Sequence, residues 1–294
     1  MLSYKNCTLC PRQCGVDRSG DPRGFCRMPG QLQAARAMLH QGEEPSLWSG
    51  TGAGAVFFSG CTLRCGYCQN AEISLHCKGK PLTSERLREI FLELIDRGAG
   101  SIDLVTPSHF LPDILPALCP KLPVPVIFNC GGYERVETLR ELEGLVDIYL
   151  PDFKYSDNTL AKQLSGAEDY CETAIAALKE MYRQVGSPVY DKNGQMQRGI
   201  LIRHLVLPGC VDNSLGVLDH ITALFPKRDV PISLMSQYVP MGGLPAPFDR
   251  RVTEEEYAAV LSWMELCGLT EGFAQESAAA TTELLPDFNF EGIL

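Results

Sequence analysis

The chain reads as an α/β protein, a partial (β/α)6 barrel of the TIM type preceded by a small cysteine-rich segment. Three observations predict this. Short apolar runs rich in β-branched and aromatic residues alternate with amphipathic stretches six times over, which calls for a parallel sheet. A length of 294 residues with 45% hydrophobic content suits an α/β barrel and fills a large core. Polar residues gather just after the apolar runs, where such barrels carry their chemistry. The alternative is an open doubly wound sheet, but no Gly-x-Gly-x-x-Gly follows any run.

The first 50 residues divide from the rest by composition. Cys7, Cys10, Cys14 and Cys26 stand among Gly15, Gly20, Pro22 and Gly24, with no helical or strand periodicity, so this segment is expected to wrap a metal in place of a core. Residues 51–274 are expected to form the barrel, entered through Gly50, Gly52 and Gly54. Ala55-Val-Phe-Phe-Ser-Gly60 is the first strand. Ser84–Arg97 follows as an amphipathic helix with Leu87, Ile90, Phe91, Leu94 and Ile95 on one face. Strands are then predicted at Ser101–Pro107, Pro125–Asn129, Val146–Lys154, Ile200–Leu207 and Val230–Val239. Helices are predicted around Ile114–Cys119 and over Glu134–Leu145, Asp169–Val185, Ser214–Phe225 and Thr253–Cys267. The last carries Thr253 as cap and Glu256 in the capping-box position. Residues 275–294 are expected to form a tail packed on the barrel, through Pro286-Asp-Phe-Asn-Phe290.

The densest chemical signal lies just past the first strand, in Cys61-Thr-Leu-Arg-Cys65-Gly-Tyr-Cys68-Gln-Asn70. Three thiolates in one loop select a soft or borderline metal, zinc, Cu(I) or an iron–sulfur cluster. Structural zinc wants four ligands, and this loop supplies three. On a four-iron cluster, three would leave one iron open to a substrate or cofactor. Other polar candidates follow the later strands: Thr106, Ser108 and His109, Asn129 and Cys130, Asp152 and Lys154, Arg203, and Gln237. His204 neighbours Arg203 on the opposite face and reads as a structural histidine. Cys130 reads as a small buried hydrophobe. Cys77, Cys119, Cys171, Cys210 and Cys267 are isolated and receive no role.

Composition narrows the classes. A net charge of −10 argues against nucleic-acid binding, and no apolar run is long enough to span a membrane. Thirteen cysteines without a recognisable secretion signal point to the reducing cytoplasm and to metal ligation, not disulfides.

The C-x3-C-x2-C spacing, with aromatic Tyr67 before the third cysteine and a strand before the first, resembles the radical S-adenosylmethionine (SAM) superfamily. Further strings narrow the resemblance: Leu104-Val-Thr-Pro-Ser-His109, Asp147-Ile-Tyr-Leu-Pro-Asp152-Phe-Lys154, Ile202-Arg-His-Leu-Val-Leu-Pro-Gly209 and Ser233-Leu-Met-Ser-Gln-Tyr238. With Cys7-Thr-Leu-Cys10-Pro-Arg12 they are similar to the pyruvate formate-lyase activating enzymes of the PflX type, from about Cys7 to Gly292.

The resemblance implies an oxidoreductase that binds a [4Fe-4S] cluster at Cys61, Cys65 and Cys68 and cleaves SAM reductively to a 5′-deoxyadenosyl radical, which takes hydrogen from a substrate. It implies a SAM pocket at Asp152, Lys154 and Arg203, joined on strand-end position by Thr106, Ser108, Asn129 and Gln237. It also implies flavodoxin or ferredoxin as electron donor and a protein or peptide among the possible substrates. The chain departs from activating enzymes in two places. Val105-Thr-Pro-Ser108 stands where they carry Gly-Gly-Glu, and the extra cysteines precede the barrel. Cys7, Cys10, Cys14 and Cys26 are expected to hold either zinc or a second [4Fe-4S] cluster. A non-catalytic iron–sulfur electron carrier or redox sensor is the alternative function. A carrier needs every iron held by protein, which a three-cysteine loop does not provide.

Overall fold

The computed structural model describes residues 2–20, 22–275 and 286–293, so part of the tail expected at 275–294 lies outside the described residues. In chain order the elements are β1 (Gln33–His40), β2 (Ala53–Phe58), α1 (Ala71–Ser74), β3 (Lys80–Pro81), α2 (Ser84–Asp96), β4 (Ile102–Val105), α3 (Leu111–Ala117), β5 (Val126–Cys130) and α4 (Val136–Arg140). Then come β6 (Ile148–Pro151), α5 (Asn158–Ser165), α6 (Tyr170–Val185), β7 (Val189–Tyr190), β8 (Met196–Ile200), β9 (Ile202–Leu205), α7 (Val211–Leu224), β10 (Ile232–Met235), α8 (Glu254–Leu266) and β11 (Gly272–Ala274).

β2, β4, β5, β6 and β8 pair in parallel in that order, and β9, β10 and β11 continue in parallel as a three-stranded sheet. Only Leu201 separates β8 from β9, and an Asp152–Arg203 bridge joins the two sheets. This is the expected α/β architecture, a barrel that does not close. Every residue of β2, β4, β5, β6 and β10 is buried, as parallel strands covered on both faces require. The helices supply that cover. Thr83 accepts a hydrogen bond from the Arg86 amide at the start of α2, which presents Leu87, Ile90, Phe91 and Leu94 to the sheet. Phe58, Phe91, Phe110 and Phe128 are fully buried, and each contributes roughly 2–3 kcal/mol.

Several elements differ from expectation. β1 pairs antiparallel with β2 and carries β3 on its outer side, although its alanine-rich sequence has little strand propensity; the ladder to β2 supplies the order. The strand expected at Ile200–Leu207 divides, because its first part must pair with β6 and its second with β10. α5 precedes α6 in one crossover, and β11 adds a parallel strand beyond β10. The helix expected over Glu134–Leu145 shortens to α4, and Glu134 turns inward, 3% exposed. Of the tail, Phe290 donates its amide to the Ala35 carbonyl at 3.0 Å, and Phe288 meets Phe57 edge-on.

The α8 capping box is present. Thr253 Oγ1 accepts from the Glu256 amide at 3.2 Å, and Glu256 Oε2 accepts from the Thr253 amide at 2.9 Å. Glu256 also accepts from the Gly209 amide and pairs with Arg250, tying the loop after β9 to α8. Thr253→Ala should cost about 1 kcal/mol in reversible denaturant unfolding, and a midpoint equal to wild type would show the cap to be irrelevant.

Candidate active site

The apolar run of β2 ends at Ser59 and Gly60, where the chain leaves the sheet. Gly60 has φ +79°, and a Cβ there would stand 2.2 Å from Met28 Cγ and 2.9 Å from the Cys26 carbonyl, so only glycine lets the N-terminal segment pack on this turn. The cysteine loop then doubles back, with the Cys68 amide donating to the Cys65 carbonyl at 3.1 Å and the Gly66 amide to Leu164 at 2.8 Å. Each of the three sulfurs accepts hydrogen bonds. Cys61 takes the amides of Leu63 and Arg64 at 3.4 and 3.5 Å, Cys65 takes the Ser165 hydroxyl at 3.0 Å, and Cys68 takes the Ser74 hydroxyl at 3.1 Å. Behind Ser165, hydroxyls run on to Tyr155 at 2.7 Å and from there to Tyr67 at 2.8 Å, which anchors the loop from within the core.

The loop opens on a cavity of about 370 Å³. Its walls include the three cysteines, Thr106, Asn129, Asp152, Lys154, Arg203 and Gln237, so the parallel strands bring these expected residues together. Thr106 is held at φ +60°, a region costly for a β-branched residue, with its amide bonded to the Asn129 carbonyl at 2.8 Å. Asp152 accepts from Lys154 Nζ at 2.6 Å and from Arg203 Nε at 2.9 Å; Arg203 also reaches Asn129 Oδ1 at 2.5 Å and Glu43 at 3.2 Å. Burial works to raise the Asp152 carboxyl, but Lys154 and Arg203 outweigh it and hold it below its ordinary value. Burial opposes the Lys154 charge, and Asp152 more than offsets it. Gln237 lies beside the cysteine loop, its backbone carbonyl accepting from Gln69 at 2.9 Å.

Ser108 is not among these walls. It is 1% exposed and bonds to the Glu134 carboxyl, because the chain turns into a short 3-10 helix directly after Thr106. His109 and His204 are also buried, donating to the carbonyls of Ser59 at 2.6 Å and Phe153 at 2.7 Å, and burial pushes their pKa values down to about 3 and about 4. Sequence reasoning missed Glu43, Glu44 and Asp103. Glu43 and Glu44 line the cavity from the loop after β1, and Asp103 accepts from Asn129 Nδ2 at 3.2 Å. An acid inside the apolar run of β4 was the available signal for Asp103.

Among the described residues, no group of three or more His, Cys, Asp or Glu side chains is arranged as a ready-formed metal cage. The donor chemistry of the loop nonetheless suits a soft metal, since three sulfurs share one cavity and each already receives the hydrogen bonds that a ligated thiolate accepts. Burial, then Cys65, pushes the Cys61 thiol up to about 12, so ligation there must displace a proton. The N-terminal four form a second grouping, with Cys7, Cys10 and Cys26 buried and Cys14 exposed. Burial pushes Cys10 up to about 12, and neighbouring Cys26 and Cys14 add to that. This segment was expected to depend on metal, but arginines tie it to the barrel. Arg18, 1% exposed, donates to the carbonyls of Met28, His109 and Pro29, and Arg12 to those of Thr62, Ser165 and Gly166.

No family model matches the chain. An uncharacterized protein of Methanocaldococcus jannaschii is 29% identical over 277 residues, 89% of this chain and 75% of that one. The pyruvate formate-lyase-activating enzyme of Clostridium pasteurianum is 31% identical over 137 residues, 44% of this chain and 57% of that one. Among solved structures, Streptococcus suis SuiB bound to precursor peptide SuiA aligns with a TM-score of 0.53 at 14% identity, covering 74% of this chain and 46% of that chain. SuiB bound to S-adenosylmethionine aligns with a TM-score of 0.53 at 12% identity, covering 78% and 52%. The chain spans about half the length of these solved structures. At such identities the likeness establishes the fold alone. Among the described residues, no helix is long and apolar enough to cross a membrane.

Proposed function

We propose that the chain is a radical SAM enzyme in which Cys61, Cys65 and Cys68 hold a [4Fe-4S] cluster at the mouth of a partial barrel. The observation that carries this reading is three sulfurs on one loop, each accepting a hydrogen bond, opening on a cavity walled by paired charges. The likeness of fold to SuiB, solved with S-adenosylmethionine, supports it, as does the identity shared with an activating enzyme. When bound, cluster and SAM together supply the one-electron cleavage that yields a 5′-deoxyadenosyl radical able to abstract hydrogen.

The chain's own residues bind, orient and exclude water. Asp152 and Arg203, already fixed by each other, offer a rigid charged face for SAM's polar groups, so little ordering cost remains on binding. Thr106, held in its unusual conformation, presents backbone and hydroxyl where activating enzymes carry Gly-Gly-Glu. Asn129, Lys154 and Gln237 complete the SAM pocket, and flavodoxin or ferredoxin delivers the electron. A protein or peptide substrate is the reading that best accords with SuiB's precursor peptide and with the activating-enzyme relative. A pure electron carrier would have no use for so large a cavity walled in part by charged side chains. Anaerobically reconstituted, reduced protein should convert SAM to 5′-deoxyadenosine, and an intact cluster with no such product would refute the reading.

Cys7, Cys10, Cys14 and Cys26 form a second metal site in this proposal, an iron–sulfur cluster in preference to zinc because three of the four crowd at C-x2-C-x3-C spacing. Changing Cys61, Cys65 and Cys68 together to Ala should leave about four irons per chain, the content of one [4Fe-4S] cluster. One zinc would reassign the site, and no metal would remove it.

A further inference from the structure

The cavity gathers more carboxyl groups than its two cations engage. Four carboxyl groups, Glu43, Glu44, Asp103 and Asp152, gather around two cations, Lys154 and Arg203. Both cations are already engaged. Lys154 Nζ is taken by Asp152, and the three nitrogens of Arg203 go to Asp152, Glu43 and Asn129. His40, 4.0 Å from Glu43, does not add a charge, since burial and Arg36 lower its pKa.

What remains unmet are carboxyl and amide oxygens. Asp103, fully buried behind the wall, meets the Glu43 carboxyl and keeps Oδ1 without a donor, and Glu44 keeps Oε2 buried and unpartnered on the cavity wall. Gln275 Oε1, also on the cavity wall, is unpartnered as well. Buried acceptors left without donors are costly, so folds retain them where a ligand completes them. A ligand presenting another carboxylate here would add negative charge beside carboxyl groups already gathered. One presenting several N–H donors and a positive charge would pair with them. A metal ion would also bring charge, and Mg²⁺ is therefore a competitor in the test below.

We propose that the Glu43–Glu44–Asp103 end of the cavity, beside Arg203, receives a cationic donor group of the substrate, an alkylammonium or guanidinium. This rests on the radical SAM reading and specifies its substrate class: a lysine- or arginine-like side chain, or a small-molecule amine. Glu43, only 9% exposed and fixed by Arg203, sets the position of the charge. Glu44, steadied by the Ser233 hydroxyl, supplies the free oxygen, and Asp103 lends acceptor character from behind. Burial pushes Glu44 and Asp103 toward their neutral forms in the empty cavity, and a bound cation draws them back to carboxylates.

The test uses reconstituted holoenzyme saturated with SAM, so that the probes report on space SAM leaves open. Agmatine, butylamine, 1-butanol and butyrate are titrated calorimetrically. Agmatine and butylamine should bind, with butanol and butyrate at least about tenfold weaker, as loss of a charge-assisted hydrogen bond predicts. Glu44→Gln should weaken agmatine by about the same factor, and Ser233→Ala by less. Equal affinity for agmatine and butanol, or unchanged agmatine affinity in Glu44→Gln, would overturn the proposal. Displacement of agmatine by Mg²⁺ would overturn it in favour of a metal site. Wild-type protein that cleaves SAM yet shows no preference for cations refutes this inference alone; protein that never cleaves SAM refutes the reading beneath it.

Discussion

Cys65→Ala is expected to lose 5′-deoxyadenosine formation to below detection and to lose the iron of the barrel-mouth cluster with it. Cys65 is 7% exposed, lies between the other two cysteines, and takes its hydrogen bond from Ser165. Its loss leaves two sulfurs, and two thiolates do not hold a four-iron cluster against water and thiols in solution. Nothing nearby replaces it, because Ser165 and Tyr155 are hard oxygen donors that a soft metal disfavours. The fold should survive, since the loop is also pinned by the Gly66 amide on Leu164 and by buried Leu63 and Tyr67. The measurement is product formation by reduced, anaerobically reconstituted protein, beside iron content and a thermal melt. Undiminished product from Cys65→Ala would end the assignment. Ser165→Ala makes the contrast: it should keep the cluster but lower its reduction potential, because a hydrogen bond to a ligating sulfur favours the more negative reduced state.

How much of this was legible beforehand depends on what each element owes to its own sequence. The Cys61–Asn70 loop and the strands β5 and β6 were legible because buried parallel strands are continuous apolar runs and the polar residues at their ends, Asn129 and Asp152, stand out. The α8 capping box was legible for the same local reason. β1 was not, since Ala34, Ala35 and Ala37 owe their extended form to pairing with β2, which no local pattern records. Ser108 misled because the position after a strand says nothing of the 3-10 turn that rotates its side chain toward Glu134. Glu43 and Glu44 were invisible as site residues: they lie in a loop with ordinary surface composition, and only the barrel's curvature carries them to Arg203, 160 residues away in the chain.

Arg203→Ala is expected to be the most damaging single change that leaves the cysteine loop intact. Arg203 closes the partial barrel's charge network, bonding Asp152 from β6, Asn129 from β5 and Glu43 from the loop after β1. The side chains of Arg203 and Asp152 are each 16% exposed and that of Glu43 is 9% exposed, so solvent screens these contacts little. Removing one partner of a buried pair leaves an uncompensated carboxylate and costs about 3–5 kcal/mol; here two carboxylates lose their cation, although Lys154 still holds Asp152. Arg203→Lys should recover only part of this, because one ammonium cannot reach three acceptors at once in the guanidinium's planar geometry.

The pH dependence gives the sign. Asp152 has a folded pKa below its ordinary value of 3.8, so its contribution is present above that value and lost as pH falls through the folded one. Without Arg203 that contribution shrinks. The stability gap between wild type and Arg203→Ala should therefore be widest near neutral pH and narrow on acidification below about pH 4, as the pH falls toward the lowered folded value of Asp152. Denaturant unfolding at the two pH values measures it, with SAM affinity as a separate reading. A gap that stays constant or widens on acidification would mean that Arg203 stabilises the barrel by packing alone. A variant that binds SAM as tightly as wild type would remove Arg203 from the cofactor pocket.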